Sequence, residues 1–146
     1  MTPRERARKS AGKMWEEDNA SKWMGMSIAD IDEGTATLEL TVAGHHCNGH
    51  GMCHGGVIFS LADSAFAFAC NSRNQRTVAQ HNIISYIRPA SEGDRLLAVS
   101  REVSLSGRSG IYDTRVTNQN SQVIAEFRGC SRIIGGTLFK ELESAK

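Results

Sequence analysis

Residues 55–70, Gly-Gly-Val-Ile-Phe-Ser-Leu-Ala-Asp-Ser-Ala-Phe-Ala-Phe-Ala-Cys, constrain this chain more than any other stretch. Alanine, leucine and phenylalanine favour a helix there, and apolar side chains surround it nearly all round. Such a helix must be buried rather than laid on a surface. The rest of the chain has to supply its cover. Residues 35–42 alternate cleanly: Ala36, Leu38, Leu40 and Val42 point one way, Thr35, Thr37, Glu39 and Thr41 the other. That is a half-buried strand.

Residues 26–32 predict a strand before it, and Gly34 breaks the chain between the two. Further strands are predicted over 77–88 (closed by Pro89), 95–105, 111–118 and 122–133, with turns at 106–110 and 118–121. Residues 4–20 read as a polar helix anchored by Met14 and Trp15. The order is helix, two strands, buried helix, then a meander of four strands. An α+β fold follows, with an antiparallel sheet wrapped around the long helix. Exposed strand edges and the all-round apolar helix argue against an isolated monomer.

At 146 residues the chain is of single-domain size, with 40% hydrophobic and 23% charged residues as in globular proteins. Three segments are expected: a helical segment over 1–20, the main domain over 21–136 and a charged tail over 137–146. A net charge of +1 argues against dedicated nucleic-acid binding. The run 57–70 is interrupted by Ser60, Asp63 and Ser64, too short and polar to span a bilayer. Four cysteines and no secretion signal predict reduced thiols and a cytoplasmic location.

The chemistry concentrates in 48–63. A glycine-rich loop ends in His54-Gly55-Gly56, and the helix begins at once. A glycine-led helix start offers bare backbone N–H groups to developing negative charge. Asp63 is a lone carboxylate in apolar surroundings, where its pKa rises toward that of a useful base. Together they point to hydrolysis of an activated acyl group. Gly55 and Asp63 are eight residues apart in sequence, about 12 Å along a helix axis. A reacting centre needs both within hydrogen-bond reach, ~3 Å. One helix does not present both to one substrate, but two antiparallel copies do. A site composed across a two-fold interface is therefore expected.

The motifs Asn48-Gly49-His50, His54-Gly55-Gly56, Ser60-Leu61-Ala62-Asp63, Ala65-Phe66-Ala67, Arg88-Pro89 and Phe127-Arg128-Gly129 resemble those of hot-dog-fold acyl-CoA thioesterases of the phenylacetic-acid-degradation type. The resemblance spans roughly residues 20–136. It implies metal-free hydrolysis of phenylacetyl-CoA or hydroxyphenylacetyl-CoA to free acid and coenzyme A, with no cofactor, by a homodimer or a dimer of dimers. It implies Asp63 as general base or nucleophile, the Gly55 N–H as the group polarising the thioester carbonyl, and Asn48 as a positioner of water or substrate. Some relatives carry serine or threonine near the start of the next strand. This chain has Ala79, with Gln80 and His81 as neighbouring candidates for orienting water.

Each residue also has a plainer reading. Asn48 opens an Asn-Gly pair common in turns. His54, grouped with the catalytic candidates, sits where a helix is capped, and Gly55-Gly56 is a tight helix entry. His45, His46, Cys47, His50, Cys53 and His54 are soft-metal ligand types, but lack the paired spacing of zinc folds, so no metal site is expected. Gly56, Ala79, Arg88, Arg108 and Arg128 are the substrate-binding candidates, the arginines suiting the phosphates of coenzyme A. Phe59, Phe66, Phe68 and Tyr86 are candidates for an acyl pocket or for the core. Two rival functions stay open: a hot-dog hydratase or dehydratase, and a non-catalytic acyl-CoA-binding module.

Overall fold

The computed structural model describes residues 1–142. Helix α1, Pro3–Glu16, opens on a capping box: Thr2 Oγ1 accepts from the Glu5 N–H at 3.1 Å and the Glu5 carboxylate from the Thr2 N–H at 2.8 Å. The single helix expected over 4–20 is broken at Glu17. Asp18 takes the N–H and hydroxyl of Ser21 at 3.0 and 2.8 Å, so the chain restarts as the short α2, Asn19–Trp23.

Strands β1, Ser27–Asp32, and β2, Thr35–Thr41, form a hairpin around Gly34, whose φ of +72° explains the glycine. Helix α3, Gly55–Cys70, follows a loop holding a short 3-10 turn at Gly44–His46. Then come β3, Thr77–Tyr86; β4, Arg95–Ser106; β5, Ser109–Thr117; and β6, Val123–Ile133. The six strands make one antiparallel sheet in the order β1-β2-β4-β5-β6-β3.

The expected four-strand meander is corrected by this order. Only β4, β5 and β6 are joined as successive hairpins, while β3 pairs with β6 at the far edge. Residues 87–94 carry the chain across to the other half of the sheet. That crossing lets the sheet curl around α3, which rests against β2, β4 and β5. The β4–β5 turn is also tighter than expected: Ser106 already pairs with Ser109 around Gly107, with φ +59°.

The alternation of β2 faces as its sequence requires. Ala36, Leu38, Leu40 and Val42 are buried against Leu61, Ala62, Ala65 and Phe66 of α3 in one core with Leu96, Ala98, Tyr112, Val116, Ile124 and Phe127. Gly129 of β6 is forced by this packing, since a Cβ there would stand 2.8 Å from the Phe66 ring. Helix α1 joins the same core through Ala7 and Ala11. The beginning of the expected tail is packed too. Phe139 is buried, and the Asn74 carboxamide binds the backbone of Leu138 and Phe139. The remainder of that tail, 143–146, lies outside the described residues.

One expectation about α3 fails in an informative way. The helix is not enclosed all round. Gly56 is exposed, and Phe59, Ser60, Asp63 and Ala67 are only partly covered, forming an open stripe along one side. A single curled sheet covers the opposite side and stops there. Beside the stripe runs the edge strand β3 with its continuation, where Val78, Ile83, Tyr86 and Ile87 are 45–59% exposed.

Candidate active site

The loop before α3 is closed by its own backbone. Cys47 and Cys53 face each other across an isolated antiparallel bridge. The Asn48 N–H donates to the Met52 carbonyl and the His54 N–H to that of His46, each at 2.8 Å. Inside the loop, Asn48 Oδ1 accepts from the N–H groups of His50 and Met52 at 3.0 and 3.3 Å. Asn48 is thus a turn organiser, and it also lines the cavity described below. His46 is buried, with its ring between the Ala43 N–H and the Met24 carbonyl at 2.9 and 2.7 Å. Among the described residues no three His, Cys, Asp or Glu side chains gather as a metal site.

His54 caps the helix. Its Nδ1 accepts the Gly56 N–H at 2.8 Å, and its carbonyl accepts from Val57 and Ile58 at 2.9 and 3.3 Å. These bonds occupy the second, third and fourth N–H groups of the helix. The Gly55 N–H has no partner among the described residues. The helix start therefore leaves one donor for an incoming oxygen, at the positive end of the helix dipole. Tyr86 pins the same turn, its hydroxyl donating to the Gly55 carbonyl at 2.8 Å. A cavity of about 380 Å³ opens here, lined by Asn48, Met52, Cys53, Gly55, Ile58, Tyr86, Ile87, Arg88 and Pro89.

Asp63 does not line this cavity. It lies two turns further along the open stripe of α3, half-buried. Burial pushes its carboxyl above the usual aspartate range, opposed by a hydrogen bond from Asn82 Nδ2 to Asp63 Oδ1 at 2.9 Å. Asn82 was not legible as a site residue in sequence. Its place follows from a β-bulge between Ala79 and His81, which resets the phase of β3. Asn82, the partly buried Ile84 and Tyr86 then share the side facing α3. Ala79, Gln80 and His81 are exposed, and no hydrogen bond joins them to Asp63 among the described residues.

The structure separates the other candidates. Arg88 reaches the cavity. Arg108 sits in the β4–β5 turn, where its carbonyl accepts from the Ile133 N–H at 2.8 Å. Arg128 alternates with Phe127 and Gly129 and so lies on the sheet face away from α3. There it makes a two-pronged ion pair with Asp113 at 2.7 and 2.9 Å. Phe66 and Phe68 belong to the core: Phe66 packs on Tyr112 and Phe127, Phe68 on Trp15. Phe59 stands on the partly open stripe against Phe127, with ring centroids 5.5 Å apart.

Within one chain, then, a lone backbone donor beside a cavity and a carboxylate of raised pKa lie on one helix but do not converge. Comparison with known proteins places this arrangement. Residues 50–125 match the thioesterase superfamily. The acyl-coenzyme A thioesterase PaaI of Escherichia coli is 42% identical over 93% of this chain and 97% of its own length. The solved structure of the E. coli PaaI protein from the phenylacetic acid degradation operon superposes with a TM-score of 0.92 at 41% identity, covering 93% of this chain and 99% of that one. A Streptococcus mutans protein solved with acetyl-CoA bound gives a TM-score of 0.75 at 26% identity, over 77% of this chain and 91% of that one. With sequence match, sheet order and helix placement in agreement, the chain belongs to the thioesterase superfamily and is a thioester hydrolase of the hot-dog fold.

Proposed function

We propose that this chain hydrolyses an aromatic acyl-CoA, phenylacetyl-CoA or hydroxyphenylacetyl-CoA, in a site shared by two copies of the chain. The substrate reading is supported by likeness to the E. coli protein of the phenylacetic acid degradation operon. The observation that carries the mechanism is the Gly55 N–H, without a partner among the described residues and left over when His54 takes the three that follow it. It polarises the thioester carbonyl and then holds the oxyanion of the tetrahedral intermediate. Asp63 of the second copy acts as general base on water, or attacks the carbonyl itself. Collapse of the intermediate expels the coenzyme A thiolate, a good leaving group that needs no strong general acid. Arg88, at the cavity rim, faces the coenzyme A phosphates.

Support for sharing is geometric. Gly55 and Asp63 lie on one helix, about 12 Å apart along its axis, and only Gly55 lines the cavity. The open stripe of α3 runs beside the edge strand β3, whose partly buried Ile84 and exposed Tyr86 face the same side, leaving an uncovered surface suited to a second copy about a two-fold axis. A homodimer is the smallest assembly this requires, and a dimer of dimers is compatible with it.

The direct test is thiol release from a panel of acyl-CoA thioesters with a chelator present. Rapid release from phenylacetyl-CoA that is absent in Asp63→Ala supports both substrate and base. Release from aliphatic thioesters alone keeps the mechanism and discards the aromatic substrate. Binding without release refutes hydrolysis of the thioesters tested.

A further inference from the structure

Asn82 carries the one anomaly of the candidate site. Its Nδ2 bonds Asp63 at 2.9 Å, yet its own Oδ1 is sealed from solvent and has no hydrogen-bond partner among the described residues. A buried acceptor left unmade carries its full desolvation penalty. Packing alone does not call for it, because a leucine of similar shape would fill the same space with no orphaned atom. The neighbours on β3 offer no substitute: Ala79 has no polar side-chain group, and Gln80 and His81 are exposed.

We infer that Asn82 is the positioning residue for Asp63, holding Oδ1 by a donated hydrogen bond so that Oδ2 faces the reacting centre, and that this placement is kept at the expense of stability. The inference rests on Asp63 being the reacting carboxylate. Fixing one oxygen sets the rotation of the carboxyl group, so the second oxygen meets water or carbonyl carbon in one orientation. The bond also favours the ionised form, opposing the burial that pushes the carboxyl's pKa up. Among the described residues the Cys70 thiol on the same helix also senses Asp63, and burial pushes it up to about 12, so it stays neutral through the working range.

The experiment compares wild type, Asp63→Asn, Asn82→Leu and Asn82→Asp in oligomeric state, kcat, KM, pH profile and melting temperature. Turnover that survives in Asp63→Asn overturns the parent reading directly. Where Asp63→Asn is inactive, Asn82→Leu is expected to lose ~10-fold or more in kcat with KM nearly unchanged. Its acid limb moves to higher pH. Its melting temperature, read near pH ~3, below the ordinary aspartate value of about 3.9, stays level or rises because the orphaned acceptor is gone. Asn82→Asp keeps the shape but adds a second carboxylate, so its acid limb moves the same way. An unchanged kcat and acid limb in Asn82→Leu overturns the inference. So does a fall in melting temperature that accounts for the lost activity, the signature of a purely structural side chain.

Discussion

Two inactive chains should make one active site if Gly55 of one copy works with Asp63 of another. The first partner is Asp63→Ala, which removes the base and keeps the helix start. The second is Gly55→Val. A Cβ at Gly55 would stand 3.1 Å from the Tyr86 ring, and a branched side chain crowds the oxygen site further. Each homo-oligomer then lacks one component at every site. In a mixed dimer, one site combines both wild-type groups and the other combines both lesions. Random pairing of equal amounts makes about half the dimers mixed, each with one good site, so about a quarter of wild-type activity returns. The assay is thiol release from phenylacetyl-CoA by chains co-expressed with two different tags and purified through both in turn. If the assembly is a dimer, that selection leaves only mixed dimers and raises the expected recovery to about half. Doubly selected oligomers with no more activity than the parents would refute the shared site, and would require Gly55 and Asp63 to converge within one chain. The ~12 Å along the helix makes that outcome hard to reconcile with direct action of both groups.

Asp63→Asn should lose ~10²-fold or more in thiol release while gaining stability at neutral pH. The sign follows from the raised folded-state pKa: stability linked to Asp63 is full below its unfolded value and is lost as pH rises through the folded one. The gain should therefore shrink toward about pH 4 in paired melting curves, and a gain independent of pH would contradict the burial argument. His54→Ala removes the side chain that takes the Gly56 N–H, which should cost about 0.5–2 kcal/mol in denaturant unfolding; no loss would show the cap to be dispensable. Gly129→Ala places a Cβ 2.8 Å from the Phe66 ring and should destabilise by about 1–3 kcal/mol. Wild-type stability in that variant would mean that Phe66 repacks freely.

Local chemistry explains which features were readable in sequence. The period-two pattern of β2, the glycine-led entry into α3 and the apolar run behind it each depend on near neighbours. All three appear where expected. His54 as a cap follows from its place directly before the helix. The break at Asp18 is also local, but there a side chain outcompeted the backbone, which helix propensity does not register. Asn82 was missed because its direction depends on a bulge that changes the parity of β3, and strand parity is invisible until pairing is known. Arg128 shows the same effect: its side chain belongs to the outer sheet face, beside Asp113, because Phe127 and Gly129 take the inner one.

Hydrophobic periodicity and helix-terminus chemistry, written in the sequence, settled that a long apolar helix lies on an antiparallel sheet with a bare N–H at its start and one carboxylate on its length. These are properties of residues within a few positions of one another. The tertiary structure decided the rest. It sent β3 to the far edge beside β6, left one stripe of α3 uncovered and turned Asn82 onto Asp63. Those outcomes depend on which distant strands pair and on how far one sheet can curl around a helix. Such choices minimise exposed apolar surface over the whole chain, and no short window of sequence contains them.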